Sequence, residues 1–140
     1  MGRTIPTYGL ILAGNVTIGN QVASLLRHNG WWTHVVYSDR EAYQAIHQRN
    51  VDIIITDIES QNIGGLAVMI WCKNYHPSII PYAICKKGQR DIMQLARDFG
   101  GCAGYFYLKD KRPMEVDVSQ GMAARFVDSQ VEEITFQSTG

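Results

Sequence analysis

This 140-residue sequence has no excess of charge of either sign, few cysteines and no long apolar run. Thirteen Lys and Arg balance thirteen Asp and Glu, so the formal net charge is zero and no long-range field favours nucleic acid or an anionic membrane. Three cysteines fit neither a disulfide framework nor paired zinc knuckles, which predicts a reducing, cytoplasmic setting. No stretch reaches the roughly 18 apolar residues of a membrane span. We therefore expect a soluble protein that binds neither nucleic acid nor membrane.

Short apolar runs alternate with helical patterns along most of the chain. Five runs are typical of buried strands and cover residues 8–13, 31–37, 51–57, 79–84 and 105–108. Helical spacing fills the intervals, and a capping box formed by Ser38 and Glu41 precedes the second helix. This alternation predicts an α/β fold with one five-stranded parallel sheet, doubly wound with helices on both faces.

The C-terminal third of the pattern carries three further expectations. Ile92, Leu95, Ala96 and Phe99 stand at helical spacing, which predicts that this helix buries them against the sheet. After Pro113 a fifth helix is expected to bury three apolar residues, namely Val118, Met122 and Phe126. Residues 127–140 have no clear period, so we interpret 8–126 as the domain and 127–140 as a tail or a linker to an effector domain.

The carboxyl ends of the predicted strands should carry any chemistry, because ligands of open parallel sheets bind there. Asp57 ends an otherwise apolar strand, so its carboxylate is available as a nucleophile or a metal ligand. Asn15, Cys85 and Lys109 follow other predicted strands in the same way. On spacing alone, an aspartate that caps a turn is the simpler interpretation.

The ordered pattern resembles the receiver family of response regulators, the CheY-like phosphoacceptor domains of two-component signalling. The resemblance covers about residues 8 to 126 and depends on residues 57–66, on the fourth strand with Cys85, and on residues 108–109. It implies a flavodoxin-like fold and a role in bacterial signal transduction. It also implies that Asp57 is the phosphoacceptor, that Gly65 opens the third helix, and that Lys109 contacts a phosphoryl group.

The end of the first strand departs from the family pattern. The family places two acidic residues there to hold Mg²⁺, whereas the matching positions here are Ala13 and Gly14, followed by Asn15. Asp57 alone should bind Mg²⁺ weakly, since the ion requires carboxylate charge both to be retained and to act on a phosphoryl group. Glu59 is a partial replacement ligand, a mimic of negative charge, or a surface loop residue.

The expected switch residues depart from the family pattern as well. Cys85 stands where the family has Thr or Ser, and a thiol is a weak hydrogen-bond donor. Phe106 keeps the ring of the family's usual aromatic residue without its hydroxyl, and could still act as a rotamer switch. Gln61 and Asp110 replace two family prolines. A non-proline cis bond costs about 2.5–4 kcal/mol, so the bond after Lys109 is expected to be trans and the lysine re-aimed.

Together these features predict an atypical receiver, or pseudo-receiver, with no enzymatic turnover and with impaired or absent Mg²⁺-dependent phosphorylation at Asp57. Its expected partner is another protein or a covalently attached effector domain. Such relatives commonly dimerise through the fourth helix, fifth strand and fifth helix. Here that surface would carry Arg90, Asp91, Gln94, Arg97, Lys111 and Arg112, which are equally typical of a solvated face.

Two alternatives stay open. In the first, the chain is a working phosphoacceptor in which Asp57 is phosphorylated with help from Asn15, Glu59 and water-held Mg²⁺. The second is a Rossmann-type nucleotide-binding domain, because residues 14–19 read G-N-V-T-I-G after the first strand and Asp39 follows about twenty residues later. The four histidines form no ligand cluster, so no zinc or iron site is expected, and weakly held Mg²⁺ is the one candidate cofactor.

Overall fold

Six strands and four helices make up the part of the chain that the computed structural model describes, which is residues 7–58, 64–85, 89–107 and the backbone of 115–118. The strands are β1 (Tyr8–Leu12), β2 (Trp32–Val36), β3 (Ile53–Asp57), β4 (Ile80–Cys85), β5 (Gly104–Tyr107) and β6 (Glu115–Val118). The helices are α1 (Val16–His28), α2 (Asp39–Gln48), α3 (Gly65–Tyr75) and α4 (Arg90–Gly100). None of these helices combines the length and the apolar character that crossing a membrane requires.

The strands form one sheet in the order β2-β1-β3-β4-β5-β6. The first five strands are mutually parallel, which confirms the predicted doubly wound parallel sheet. Because β1 lies between β2 and β3, the order is the flavodoxin-like one, whereas a Rossmann sheet runs 3-2-1-4-5-6. The topology therefore contradicts the Rossmann-type alternative.

The sixth strand is a feature that the helical pattern missed. β6 pairs antiparallel with β5, with Gly104 opposite Val118 and Phe106 opposite Val116. The prediction of a fifth helix that includes Val118 is therefore wrong. Residues 115–118 read E-V-D-V, and such alternation of β-branched and acidic residues has the period of a strand. Met122, Phe126 and the predicted tail at 127–140 lie outside the described residues.

Side chains alternate across the sheet, so each strand supplies two packed layers. On one face, α1 covers a cluster that includes Ile11, Ile55 and Phe106. On the other face, α2 and α3 cover a cluster around Ile54. A third cluster, around Tyr105 and shared by α3 and α4, continues that second face toward the β5 edge. The predicted Ser38 cap of α2 is confirmed: its hydroxyl oxygen accepts from the Glu41 amide at 3.1 Å.

Helix α4 buries a different face from the one that the sequence predicts. Ala96 is buried as expected, but Leu95 is 43% exposed and Phe99 is 57% exposed. The residues of α4 that face the core are Met93, Ala96 and Gly100. Gly100 lets the Met69 side chain of α3 approach so closely that a Cβ at this position would overlap it. The spacing of apolar residues does not reveal that a glycine packs against a neighbouring helix. For this reason the sequence predicted the wrong buried face of α4.

Candidate functional site

The candidate site lies where β1 and β3 end, at the point from which the chain winds to opposite sides of the sheet. Ligands of doubly wound sheets bind at such switch points. Asp57 is the last residue of β3, and Gly14 and Asn15 connect β1 to α1. The structure thus brings together the predicted acid and the predicted end of the first strand. Glu59 and Lys109, the other two charged residues predicted for the site, lie outside the described residues.

Asp57 is a buried carboxylate with a defined neighbour. Its side chain is 3% exposed, and its Oδ2 accepts a hydrogen bond from the backbone amide of Gly14 at 3.2 Å. Burial of a carboxylate is costly unless donors compensate it, and this amide is one such donor. A Cβ at Gly65 would overlap the Asp57 carbonyl oxygen, so glycine at the start of α3 permits the helix to begin against the end of β3.

The residues at the end of β1 have structural roles. Ala13 is fully buried in the cluster under α1, and its amide donates to the Val36 carbonyl of β2 at 3.0 Å. Asn15 is the N-cap of α1, and its Oδ1 accepts from the Ile18 amide at 2.9 Å. The amide oxygen that was predicted to assist at Asp57 is therefore engaged in holding the helix.

The described residues of this site offer few oxygen donors to Mg²⁺. The ion keeps several waters and is held through one or two carboxylates plus phosphate oxygens. Within the described residues, the end of β1 supplies no carboxylate and Asp57 supplies the one at the end of β3. That same part of the chain contains no group of three His, Cys, Asp or Glu residues that could hold a metal ion.

The predicted switch pair is separated by the sheet. Cys85 packs in the cluster between α3 and α4, whereas Phe106 packs under α1, where its ring meets Tyr82 at 5.5 Å between centroids. The register explains this, because Phe106 lies opposite Ile84 and Tyr107 lies opposite Cys85. Side chains of neighbouring residues on a strand point to opposite faces. Phe106 is thus a core residue on the far face from Cys85.

Tyr105 is the residue of this region that the sequence prediction missed. It shares the face of Cys85, and its hydroxyl donates to the Met93 carbonyl of α4 at 2.9 Å. Burial raises the pKa of Tyr105 to about 12, while the nearby Arg97 guanidinium acts in the opposite direction. Three aromatic residues in a row, Tyr105 to Tyr107, gave no signal in sequence as to which of them joins β5 to α4. Strand register alone decides it.

On α4 the predicted dimer surface carries polar residues beside the exposed Leu95 and Phe99. Arg90, Asp91, Gln94 and Arg97 are all exposed, as predicted. Two contacts organise them: the Gln94 side-chain amide donates to Asp98 at 3.0 Å, and the Arg97 guanidinium lies 6.0 Å from the centre of the Tyr105 ring. Lys111 and Arg112 lie outside the described residues. Dimerisation through this surface stays a prediction.

Comparisons with known proteins identify the fold. The sequence matches no protein-family profile and no curated protein. Solved structures do match: the signal receiver domain of an HD domain-containing protein from Pseudomonas fluorescens Pf-5 superposes with a TM-score of 0.68 at 17% identity, over 76% of this chain and 79% of that chain. Chemotaxis response regulator CheY4 of Vibrio cholerae gives a TM-score of 0.67 at 15% identity, over 76% and 89% of the two chains.

A further match is the beryllofluoride-activated NtrC4 receiver domain dimer, with a TM-score of 0.65 at 17% identity over 74% of this chain and 85% of that chain. All three are receiver domains or response regulators by description. The chain therefore has the fold of the response-regulator receiver domains, as the resemblance implied.

Proposed function

We propose that the chain is a receiver-type regulatory module of two-component signalling that works through protein contacts, without enzymatic turnover and with impaired Mg²⁺-dependent phosphorylation at Asp57. The receiver fold and the location of Asp57 at the switch point support the signalling role. The end of β1 supports the impairment. The observation that carries the proposal is the engagement of Asn15 as the cap of α1, beside an alanine and a glycine that offer no carboxylate.

The physical reason lies in the charge balance of phosphoryl transfer. Negative charge is spread over the phosphoryl oxygens in the transition state, and a metal ion neutralises it. Among the described residues, β3 ends on the buried Asp57 carboxylate and the end of β1 contributes a backbone amide donor, a combination that would retain such an ion weakly. Phosphorylation of Asp57 would then be slow, and the module would signal through the surface that binds its protein partner.

The partner we propose is a second protein or an effector domain on the same chain. One structural neighbour is described as the receiver domain of an HD domain-containing protein, and another as a receiver dimer, so both modes of use occur on this fold. The balanced net charge of zero favours a protein partner over nucleic acid. We propose a bacterial, cytoplasmic setting, in keeping with the source organisms of these neighbours and with cysteines that form no disulfide framework.

A working phosphoacceptor is the second candidate, and one observation favours it. Asp57 occupies the switch point of the sheet, and the Gly14 amide points at one of its oxygens. A backbone amide so placed also stabilises negative charge on a group attached there. Both candidates agree on the receiver role and differ in whether phosphorylation occurs.

Phosphorylation by a small acyl phosphate with Mg²⁺ separates the two candidates. Intact-mass spectrometry would follow the wild type, Asp57→Asn as the negative control, and Asn15→Asp as a variant that adds a carboxylate while keeping a good helix cap. We expect little Asp57-dependent labelling of the wild type and more in Asn15→Asp. Stoichiometric labelling of the wild type that Asp57→Asn abolishes would establish the working phosphoacceptor.

A further inference from the structure

The two edges of the sheet differ in how they are protected against pairing with another chain. Edge strands expose unpaired backbone groups, and proteins usually guard them with charges or proline. At one edge, β6 reads E-V-D-V, with an acidic residue at every second position. At the other edge, β2 and its flanking residues read W-W-T-H-V-V-Y from 31 to 37, with no Asp, Glu, Lys, Arg or Pro. Of the two edge strands in the described part of the sheet, β2 is the one without a charged residue or proline of its own, although Arg27 of α1 donates from Nε to the Thr33 hydroxyl at 3.2 Å.

The backbone groups available on β2 follow from its pairing with β1. The Trp32 amide donates to the Thr7 carbonyl at 2.9 Å, and the Val36 carbonyl accepts from the Ala13 amide at 3.0 Å. The amide and carbonyl of one strand residue point to the same side, and successive residues alternate. Trp32 and Val36 therefore face β1. The N–H and C=O groups of Thr33 and Val35 face outward, where the described part of the chain places no further strand.

From this arrangement we infer that two copies of the chain pair through β2, antiparallel about a two-fold axis at His34. In this register Thr33 lies opposite Val35 of the other copy, and each such pair exchanges two backbone hydrogen bonds. His34 lies opposite its own counterpart as the non-hydrogen-bonded pair between them. The five residues of β2 are thus self-complementary, as a two-fold interface requires.

The side chains of β2 agree with a covered edge. Trp32 is 64% exposed, although it is a large aromatic residue within a strand. In the paired register Trp32 lies opposite the backbone of Val36 of the second copy, whose side chain is buried in its own core, and the pairing would cover part of the exposed Trp32 ring. Two short strands bury less area than a standard interface, so the dimer should dissociate in the micromolar range.

Sedimentation velocity over a range of concentrations tests the pairing. We expect the wild type to pass from monomer to dimer, and His34→Lys to raise the dissociation constant by about two- to fivefold, since like charges directly opposite each other destabilise a strand pair. His28→Lys is the matched control, because it makes the same change at an exposed position on α1 and should leave dimerisation unchanged. A wild type that stays monomeric, or a dimer that His34→Lys leaves intact, would overturn the inference.

Cysteine cross-linking tests the register independently of affinity. Opposed residues of a non-hydrogen-bonded pair have Cα atoms about 4.5 Å apart, within the range that a disulfide spans. Under air oxidation, His34→Cys should therefore form a covalent dimer. Trp32→Cys should not, because the two copies of residue 32 would lie about 13 Å apart. The native cysteines are all buried, which limits background reaction. Equal cross-linking at both positions would contradict this register.

Discussion

The Gly14 amide donates a hydrogen bond to Oδ2 of Asp57 across 3.2 Å and so joins the end of β1 to the end of β3. These are the two positions at which the receiver family concentrates its acidic residues. Here one of them is a glycine that contributes its backbone alone. The contact places a backbone amide donor beside Asp57, and a donor so placed stabilises negative charge on the carboxylate.

Asn15→Asp should raise the affinity for Mg²⁺ without loss of stability. Asp and Asn are about equally good N-caps, so the bond to the Ile18 amide is retained while a carboxylate is added one residue after Gly14, whose amide bonds Asp57. Asn15→Ala should instead lower stability by about 1 kcal/mol and leave Mg²⁺ binding unchanged. Isothermal titration with Mg²⁺ and urea denaturation measure the two effects. Equal Mg²⁺ affinity in wild type and Asn15→Asp would show that the end of β1 is not the limiting feature.

Gly65→Ala should destabilise the protein by about 1–3 kcal/mol, because its Cβ would overlap the Asp57 carbonyl oxygen and force α3 away from β3. Gly64→Ala is the control. The backbone there has an ordinary φ of −58°, and a Cβ would meet Ala67 at 3.7 Å, so a change of no more than about 1 kcal/mol is expected. Urea denaturation compares them, and equal losses would contradict the close approach of α3 to Asp57.

Thr56→Val should be neutral or stabilise the protein by about 1 kcal/mol, even though Thr56 adjoins Asp57. The threonine side chain is fully buried, and its Oγ1 has no hydrogen-bond partner among the described residues. Valine keeps the shape and removes the desolvated hydroxyl. Thermal and urea denaturation measure the change. A loss of more than about 1 kcal/mol would indicate that the hydroxyl has a partner in solution.

Stability should fall as the pH rises above about 9. Burial raises the pKa of Cys72 from 9.0 to about 11 and that of Tyr105 from 10.0 to about 12. Both groups then lose their protons more readily in the unfolded chain than in the folded one, so alkaline pH favours unfolding by up to about 1.4 kcal/mol per pH unit for each proton. Urea denaturation from pH 8 to pH 11 should show a flatter slope for Cys72→Ala and for Tyr105→Phe.

Alternation of apolar runs predicted most of the fold, because a buried parallel strand and an amphipathic helix each leave a local signature. The Ser38 cap and the place of Asp57 at the end of β3 both follow from residues close in sequence. The failures concern contacts between elements. The buried face of α4 depends on the close contact of Gly100 with Met69 of α3. The separation of Cys85 from Phe106 depends on the register between β4 and β5. Neither the helix contact nor the strand register can be predicted from the sequence of one element alone.

The central claim is that the end of β1, which offers no carboxylate, impairs Mg²⁺-dependent phosphorylation at Asp57, and titration with beryllofluoride and Mg²⁺ tests it most directly. Beryllofluoride stands in for an aspartyl phosphoryl group, and amide chemical shifts of Gly14 and Asp57 would report its binding in the wild type, with Asp57→Ala as the control. We predict no saturable change in a folded sample at millimolar Mg²⁺. A saturable change that Asp57→Ala abolishes would contradict the claim and identify a working phosphoacceptor.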